Sequence, residues 1–93
     1  MSEGAWQDGA LYNEKDEYCL ARIRYCVEQS VELDGFPRLT GVFTLCEELC
    51  PLHTGMAWLH LSDGSRWLVR VLRVTRPRGD GQFEVIEPLS LQP

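Results

Sequence analysis

Two cysteines and a histidine that lie close together in the sequence have the residue types and the spacing of a zinc site. Cys46 and Cys50 are separated by three residues, and His53 lies three positions after Cys50. Thiolate and imidazole groups at such spacings are common ligands of structural zinc. Free cysteine is, however, among the residue types most often buried in protein cores. We therefore expect ordinary thiols and no cofactor, and a zinc-stabilised module on these three residues is an alternative.

A second group of residues, of types that occur in catalytic sites, surrounds His60. Ser62 and Asp63 follow it closely, so a hydroxyl and a carboxylate are near the imidazole along the chain. Nucleophilic catalysis needs such groups in one hydrogen-bonded arrangement, whereas Ser-Asp-Gly is also the composition of a tight turn. The sequence contains no phosphate-binding glycine loop, no His-Glu-x-x-His motif and no cluster of carboxylates on one element. These features predict a protein that is not an enzyme.

A series of arginines in the second half of the chain has the chemistry to contact phosphate groups. Nucleic-acid-binding domains usually carry positive charge with aromatic residues among the basic ones, whereas this 93-residue chain has a net charge of −5. Nucleic acid is therefore not the expected partner. A small barrel that binds nucleic acid is the alternative, and it would use Arg66, Arg70, Arg73, Arg76 and Arg78.

Negative charge is concentrated in the first half of the chain. Residues 1–54 contain ten acidic and four basic residues, a net charge of −6, and residues 55–93 contain four acidic and five basic residues, a net charge of +1. A negative field steers association with a basic partner, and aromatic residues supply much of the binding energy of protein interfaces. The candidate partner-binding residues are Trp6, Tyr12, Tyr18, Tyr25, Glu14, Asp16 and Glu17.

Together these features predict a small acidic protein that acts by protein–protein interaction. An inhibitor or accessory factor of the immunity or anti-defence type, docking on a basic or nucleic-acid-binding protein, is one concrete version, and a homodimer is a further alternative. The sequence has no run of about 18 apolar residues, the length that a membrane span needs. It also has no basic and apolar signal sequence at its N-terminus. We therefore expect a cytoplasmic protein without a membrane partner.

The first element that must position these residues can be interpreted in two ways. Residues 13–33 fit a helix, with Asn13 as the N-cap, acidic residues in the first turn and Asp34-Gly35 as the stop. Residues 18–28 also alternate between apolar and polar types, as a strand does. Strands longer than about ten residues are uncommon, so the helix is the preferred prediction.

The rest of the chain has the patterns of a sheet. Asp63-Gly64 between two apolar runs indicates a hairpin, and a two-residue turn there places Trp58 opposite Val69. Gly41 is a candidate β-bulge, and residues 46–52 are expected to form a helical turn. The predicted strands are residues 39–45, 56–61, 66–75 and 82–87.

The predicted fold class is α+β, with one N-terminal helix packed on a curled, mainly antiparallel four-stranded sheet or small barrel. The alternative is an all-β small barrel in which residues 18–28 form a strand. Residues 1–12, which are rich in small and polar types, are expected to be a loosely ordered N-terminal arm. Residues 13–93 are expected to form a single compact domain.

Overall fold

The chain folds as a closed antiparallel β-barrel. The structure, a computed structural model, describes residues 6–31, 35 and 37–87, and these contain no helix. Neighbouring strands pair in the order β1-β2-β3-β6-β5-β4, and β4 pairs with β1 to close the barrel. The strands are β1 Gln7–Tyr12, β2 Cys19–Val31, β3 Pro37–Glu48, β4 Gly55–Leu61, β5 Arg66–Thr75 and β6 Asp80–Glu87.

The predicted α+β fold with an N-terminal helix is therefore wrong, and the all-β alternative fits. β2 occupies most of the predicted helix, and its Ala21, Ile23 and Tyr25 side chains point inward and are at most 2% exposed. Arg22 and Arg24, which alternate with them, are exposed. The strand is long because it has partners on both sides, β1 along its first half and β3 along most of its length. Tilted strands of a closed barrel allow such pairing.

Apolar side chains from all six strands fill the barrel. The Phe43 and Phe83 rings stack with centroids 6.2 Å apart, and the Tyr25 ring meets Phe83 edge-on at 6.4 Å. Leu52, from the connection between β3 and β4, completes this core. The buried core residues are Leu11, Ala21, Ile23, Tyr25, Leu39, Phe43, Leu52, Ala57, Leu59, Val69, Val71, Phe83 and Val85.

Two glycines in adjacent strands make room for these rings. A Cβ atom on Gly41 would lie 2.4 Å from the Phe83 ring, and one on Gly81 would lie 2.3 Å from the Phe43 ring. Gly41 keeps a regular register with both neighbouring strands, so the bulge predicted there is wrong. Its lack of a side chain serves close approach of an aromatic ring instead.

The predicted hairpin between β4 and β5 is present, but its register differs by one residue. Trp58 pairs with Leu68, and Val69 pairs with Ala57. The amide of Leu61 donates to the carbonyl of Ser65 at 2.9 Å, and the loop inside this pair holds the three residues 62–64. Its last residue, Gly64, has a φ of 93° and donates its amide to the carbonyl of Leu61, the last of β4. Three-residue hairpin loops with glycine in this conformation are common. Because a shift of one residue exchanges the two faces of a strand, Trp58 points outward and Ala57 points into the core.

The predicted helical turn over residues 46–52 is also wrong. β3 continues to Glu48, and its register with β2 shifts so that Cys46 is the extra residue of a β-bulge. Beyond the strand, the amides of Leu49 and Cys50 both donate to the carbonyl of Leu20, at 2.8 and 3.0 Å. The chain therefore stays against β2 after β3 ends.

The first described residues contribute to the barrel. Within the range expected to be an arm, Gln7–Tyr12 form β1, which pairs with β2 on one side and β4 on the other. Residues 1–5 lie outside the described part of the chain. No helix long and apolar enough to cross a membrane occurs in the parts of the chain that the structure describes.

Candidate protein-docking surface

The loop between β1 and β2, residues 13–18, is closed by its first residue. The side-chain oxygen of Asn13 accepts the amides of Glu17 and Tyr18, at 2.5 and 3.0 Å. Its carbonyl accepts the amide of Asp16 at 2.8 Å, and its own amide donates to the carbonyl of Tyr18 at 3.1 Å. Asn13 was predicted to cap a helix, and it satisfies the same kind of free backbone amides in a loop.

Three side chains from β4 and β5 bind this loop to the outside of the barrel. The indole nitrogen of Trp58 donates to the carbonyl of Glu14 at 3.0 Å. Nε2 of His60 lies 2.6 Å from one carboxylate oxygen of Asp16, and Arg66 donates to the other. The loop therefore has a fixed position that depends on residues 44 to 50 positions away in sequence.

Asp16 is the centre of this arrangement. The hydrogen bond from His60 lowers the pKa of the Asp16 carboxyl, burial opposes that change, and the hydrogen bond from Arg66 lowers the pKa further. Its backbone has a φ of 60°, a conformation that Asp and Asn adopt more readily than most other residues. The Tyr12 ring stacks on the His60 imidazole with centroids 3.8 Å apart, and this stacking orients the imidazole toward Asp16.

The arrangement around His60 holds the loop, and no serine or cysteine of the described residues is hydrogen-bonded to its imidazole. Asp16 is the hydrogen-bond partner of the His60 side chain within the described residues. Ser62 makes no hydrogen bond to His60 there, and Asp63 instead accepts both the amide and the hydroxyl of Ser65 at 2.8 and 2.6 Å. The Ser65 hydrogen bonds lower the pKa of the Asp63 carboxyl, as expected for a turn.

Two large apolar side chains are exposed near the start of β2, one at the last residue of this loop and one just beyond the end of β3. Tyr18 and Leu49 are each 52% exposed. They belong to one end of the barrel because Leu20, two residues after Tyr18, accepts the amide of Leu49. Glu14 and Glu17 are also exposed on the loop. We call Glu14, Glu17, Tyr18 and Leu49 the docking surface.

A shallow cleft borders the docking surface. It has a volume of about 390 Å³ and is lined by Glu48, Leu49, Cys50, Pro51, His53 and Arg76. Arg76 donates to both carboxylate oxygens of Glu48, at 2.9 and 2.5 Å, and Glu48 also accepts the amide of Leu52 at 2.8 Å. These hydrogen bonds lower the pKa of Glu48 to about 2, and the hydrogen bond from Arg76 is the largest cause. Glu48 and Arg76 therefore line one side of the cleft as an ion pair in which the two charges neutralise each other.

The other predicted partner-binding residues are distributed over the barrel. Trp6 is 46% exposed and lies at the opposite end of β1 from Tyr12. Tyr12 is half-buried under the loop, against His60. Tyr25 is in the core, where its hydroxyl donates to Gln7 at 3.2 Å, so its ring does not reach the surface. Burial raises the pKa of Tyr25.

Leu49 was not predicted from the sequence. The sequence predicts a helical turn there, and a single leucine has no sequence signal that distinguishes an exposed position from a buried one. The positioning roles of His60 and Arg66 were also missed, because the separation along the chain hides their contact with Asp16.

Most of the arginines proposed for nucleic-acid binding have acidic partners. Four of the five lie in ion pairs, and Arg73 alone makes none within the described residues. The positive charge of the four paired arginines is therefore locally balanced. The pairs are Arg66–Asp16, Arg70–Glu84 at 2.7 Å, Arg76–Glu48 at 2.5 Å and Arg78–Asp80 at 3.4 Å.

The residues proposed for a zinc site are divided between two cavities. Cys46 lines one together with Asp8 and Glu47, whereas Cys50 and His53 line the cleft next to Arg76. The described part of the chain contains no group of three or more His, Cys, Asp and Glu side chains placed to hold a metal ion.

Comparison with protein-family models, with curated proteins and with solved structures found no match to this chain.

Proposed function

We propose that this protein is a non-enzymatic binding protein that docks on a basic surface of a protein partner through its docking surface. The observation that supports this proposal is the combination of a half-exposed Tyr18 with a loop that is fixed by its own hydrogen bonds and by the barrel. An inhibitor or accessory subunit of the immunity or anti-defence type is the class of protein that fits such a mechanism.

A fixed loop favours tight binding. A partner that binds a mobile loop must offset the entropy lost when the loop becomes ordered, whereas a pre-organised loop has lost that entropy on folding. The hydrogen bonds of Asn13 and the contact of Asp16 with His60 order the loop before any partner arrives. Tyr18 then offers a large ring with few rotatable bonds, the kind of side chain that often dominates interface energetics.

The charge of the docking surface favours a basic partner. Glu14 and Glu17 are exposed, and neither forms an ion pair within the described residues. Lys15 between them is also exposed, so the loop tip keeps a net negative charge. The chain as a whole carries a net charge of −5. Complementary charge raises the association rate with a basic surface and makes that rate sensitive to salt.

The cysteines favour a reducing compartment. All four are free, and Cys46 is exposed. Proteins of oxidising compartments more often use their cysteines in disulfides, so the cytoplasm is the expected location.

Affinity capture followed by quantitative binding tests the proposal. The full chain is used to capture proteins from its host at low and at moderate salt, and a stoichiometric, basic protein is expected. Binding of that purified partner is then compared for the wild type, Tyr18→Ala and Leu49→Ser. Loss of an interface anchor worth about 2 kcal/mol weakens binding about 30-fold. Val42→Ser is the matched control, because Val42 is an exposed apolar residue on another part of the barrel, at 40% exposure.

Charge reversal provides the second part of the test. The double substitution Glu14→Lys and Glu17→Lys is expected to lower the association rate at low salt and to have less effect at high salt. The proposal fails if no stoichiometric partner is recovered. It also fails if the recovered partner binds Tyr18→Ala and the charge-reversed variant as well as it binds the wild type.

A further inference from the structure

Two of the four cysteines lie on adjacent backbone segments at one end of the barrel. Cys19 is the first residue of β2, and Cys50 lies two residues beyond the end of β3. The carbonyl of Leu20 accepts the amides of Leu49 and Cys50 at 2.8 and 3.0 Å. These hydrogen bonds hold the backbone of Cys50 against the residue that follows Cys19, and the register of Ala21 with Glu48, continued past the end of β3, sets Cys50 opposite Cys19. A disulfide joins residues whose Cα atoms are about 4.4–6.8 Å apart.

The two thiols share one local environment. Both cysteines are half-buried, so a small reagent can reach them from solvent. Burial raises the pKa of the Cys19 thiol, the hydrogen bond to Ala21 and the charge of Arg22 oppose this change, and the nearby Cys50 thiol adds a smaller increase. The Cys19 sulfur also lies 3.6 Å from the carbonyl of Ala21, which accepts its hydrogen.

The remaining cysteines are placed differently. Cys26 lies in β2 opposite Val42, and Cys46 is the bulge residue of β3. Cys46 is separated from Cys50 by the end of the strand and lines a different cavity. These two cysteines therefore provide internal controls for chemistry at Cys19 and Cys50.

We propose that Cys19 and Cys50 are a thiol pair that a small disulfide, such as oxidised glutathione, converts to an intramolecular disulfide. The thiolate of one cysteine attacks a sulfur of the oxidant, forms a mixed disulfide and releases one glutathione thiolate. The thiolate of the other cysteine then attacks the protein sulfur of the mixed disulfide and releases the second glutathione. The protein loses two electrons and two protons, and the oxidant is reduced to two thiols. The reaction does not depend on the binding of a protein partner.

The experiment uses the reduced full chain in glutathione buffers with an increasing oxidised fraction. Samples are quenched with acid, alkylated and analysed by intact mass and by peptide mapping without reduction. Trypsin cleaves after Arg22, which separates Cys19 from Cys26, and a glutamate-specific protease cleaves after Glu47 and Glu48, which separates Cys46 from Cys50. The expected product has one internal disulfide between the peptides of Cys19 and Cys50, with the other two thiols alkylated.

Substitutions separate this pair from chance oxidation. Cys19→Ser and Cys50→Ser are each expected to stop at the mixed disulfide with glutathione on the surviving cysteine. The double variant Cys26→Ser and Cys46→Ser is expected to form the internal bond at the same buffer ratio as the wild type. The proposal is overturned if the wild type or this double variant forms only mixed disulfides under oxidising buffers. It is equally overturned if the mapped bond involves Cys26 or Cys46.

Discussion

The imidazole of His60 and the carboxylate of Asp16 lie 2.6 Å apart, although 44 positions separate them in the sequence. The contact joins the outer face of β4 to the loop that carries Tyr18. Arg66 on the neighbouring strand binds the second oxygen of the same carboxylate, so one acidic side chain is held from two strands. The position of the docking surface therefore depends on the barrel and is not a property of the loop alone.

Replacement of Asp16 by Asn is expected to loosen the loop and leave the barrel folded. Asn tolerates the φ of 60° at this position, so the change removes the charge without adding backbone strain. Amide hydrogen exchange of residues 14–18 should become several-fold faster, while exchange in the core strands is unchanged. Asp8→Asn is the control, because the Asp8 side chain is 86% exposed and lies 3.8 Å from Arg24. Unchanged exchange in the loop of Asp16→Asn would contradict the anchoring role.

Asp16 also predicts a pH dependence of the loop. Its pKa in the folded protein is below the ordinary value of 3.8, with the hydrogen bond from His60 as the largest cause. A lowered carboxyl pKa stabilises the folded form at pH above the unfolded value, and this contribution is lost as the pH falls through the folded value. Loop exchange in the wild type should therefore approach that of Asp16→Asn as the pH is lowered below 3.8.

Glu48 provides a second and separate acid-sensitive contact. Arg76 and the amide of Leu52 lower its pKa from 4.5 to about 2, so its contribution is complete above pH 4.5 and is lost between pH 4.5 and about 2. Glu48→Gln should lower the urea midpoint at neutral pH, and the difference from wild type should shrink as the pH falls through that window. Glu47→Gln is the control, since Glu47 is 3.9 Å from Arg22 with both side chains exposed. A difference that grows toward low pH would contradict this assignment.

A side chain at position 41 is expected to lower the free energy of unfolding while Phe83 is present. Gly41→Ala should cost about 1–3 kcal/mol of unfolding free energy, because the new methyl group meets a ring in a full core. In the background of Phe83→Leu, which shortens the opposing side chain, the same substitution should cost less. A double-mutant cycle by urea denaturation measures the coupling between the two positions. Purely additive costs would show that the close approach of the ring is not what requires glycine.

The balanced arginines predict that the protein binds nucleic acid weakly or not at all. Fluorescence anisotropy with mixed single-stranded and duplex oligonucleotides should give no saturable binding, even at low salt, because most of the positive groups already have acidic partners. Arg73→Glu should change nothing in this assay. Binding that weakens steeply with salt and is reduced by Arg73→Glu would contradict the prediction and favour the nucleic-acid alternative.

Local patterns predicted the sheet of the second half with small differences at its ends. The predicted strand at residues 66–75 matches β5, and those at residues 56–61 and 82–87 match β4 and β6 to within two residues at the N-terminal end. Alternating apolar residues bounded by Gly and Pro carry enough information for this assignment. The hairpin register was wrong by one residue, because Asp63-Gly64 is compatible with a two-residue loop and with the three-residue loop that ends on Gly64.

The segment from residue 18 to residue 31 could not be assigned by its own pattern. Its apolar residues fit one face of a helix and one face of a strand, and length favoured the helix. The strand is stable because β1 and β3 supply hydrogen bonds to both of its edges, and because the barrel interior takes up Ala21, Ile23 and Tyr25. A short window of sequence around residues 18–31 does not include the pairing with β1 and β3, so it cannot decide between helix and strand.

Some residues of the candidate site could be predicted from the sequence and others could not. Glu14, Glu17 and Tyr18 were named from charge and residue type, and they stay predictions as binding residues. Leu49 was missed, and Tyr25 was named although its ring lies in the core. Residue type identifies side chains suited to an interface, but exposure depends on which face of the folded sheet carries them.

By itself the sequence determined the negative charge of the first half, the strands of the second half and the residue types available for binding, because these depend on composition and short-range periodicity. Tertiary structure alone decided that the chain closes into a barrel, that Asp16 meets His60 and Arg66, and that Tyr18 and Leu49 stand out at one end. The physical reason is that strand pairing and burial are free energies shared between segments distant along the chain. A segment that is undecided alone takes the structure that satisfies its partners.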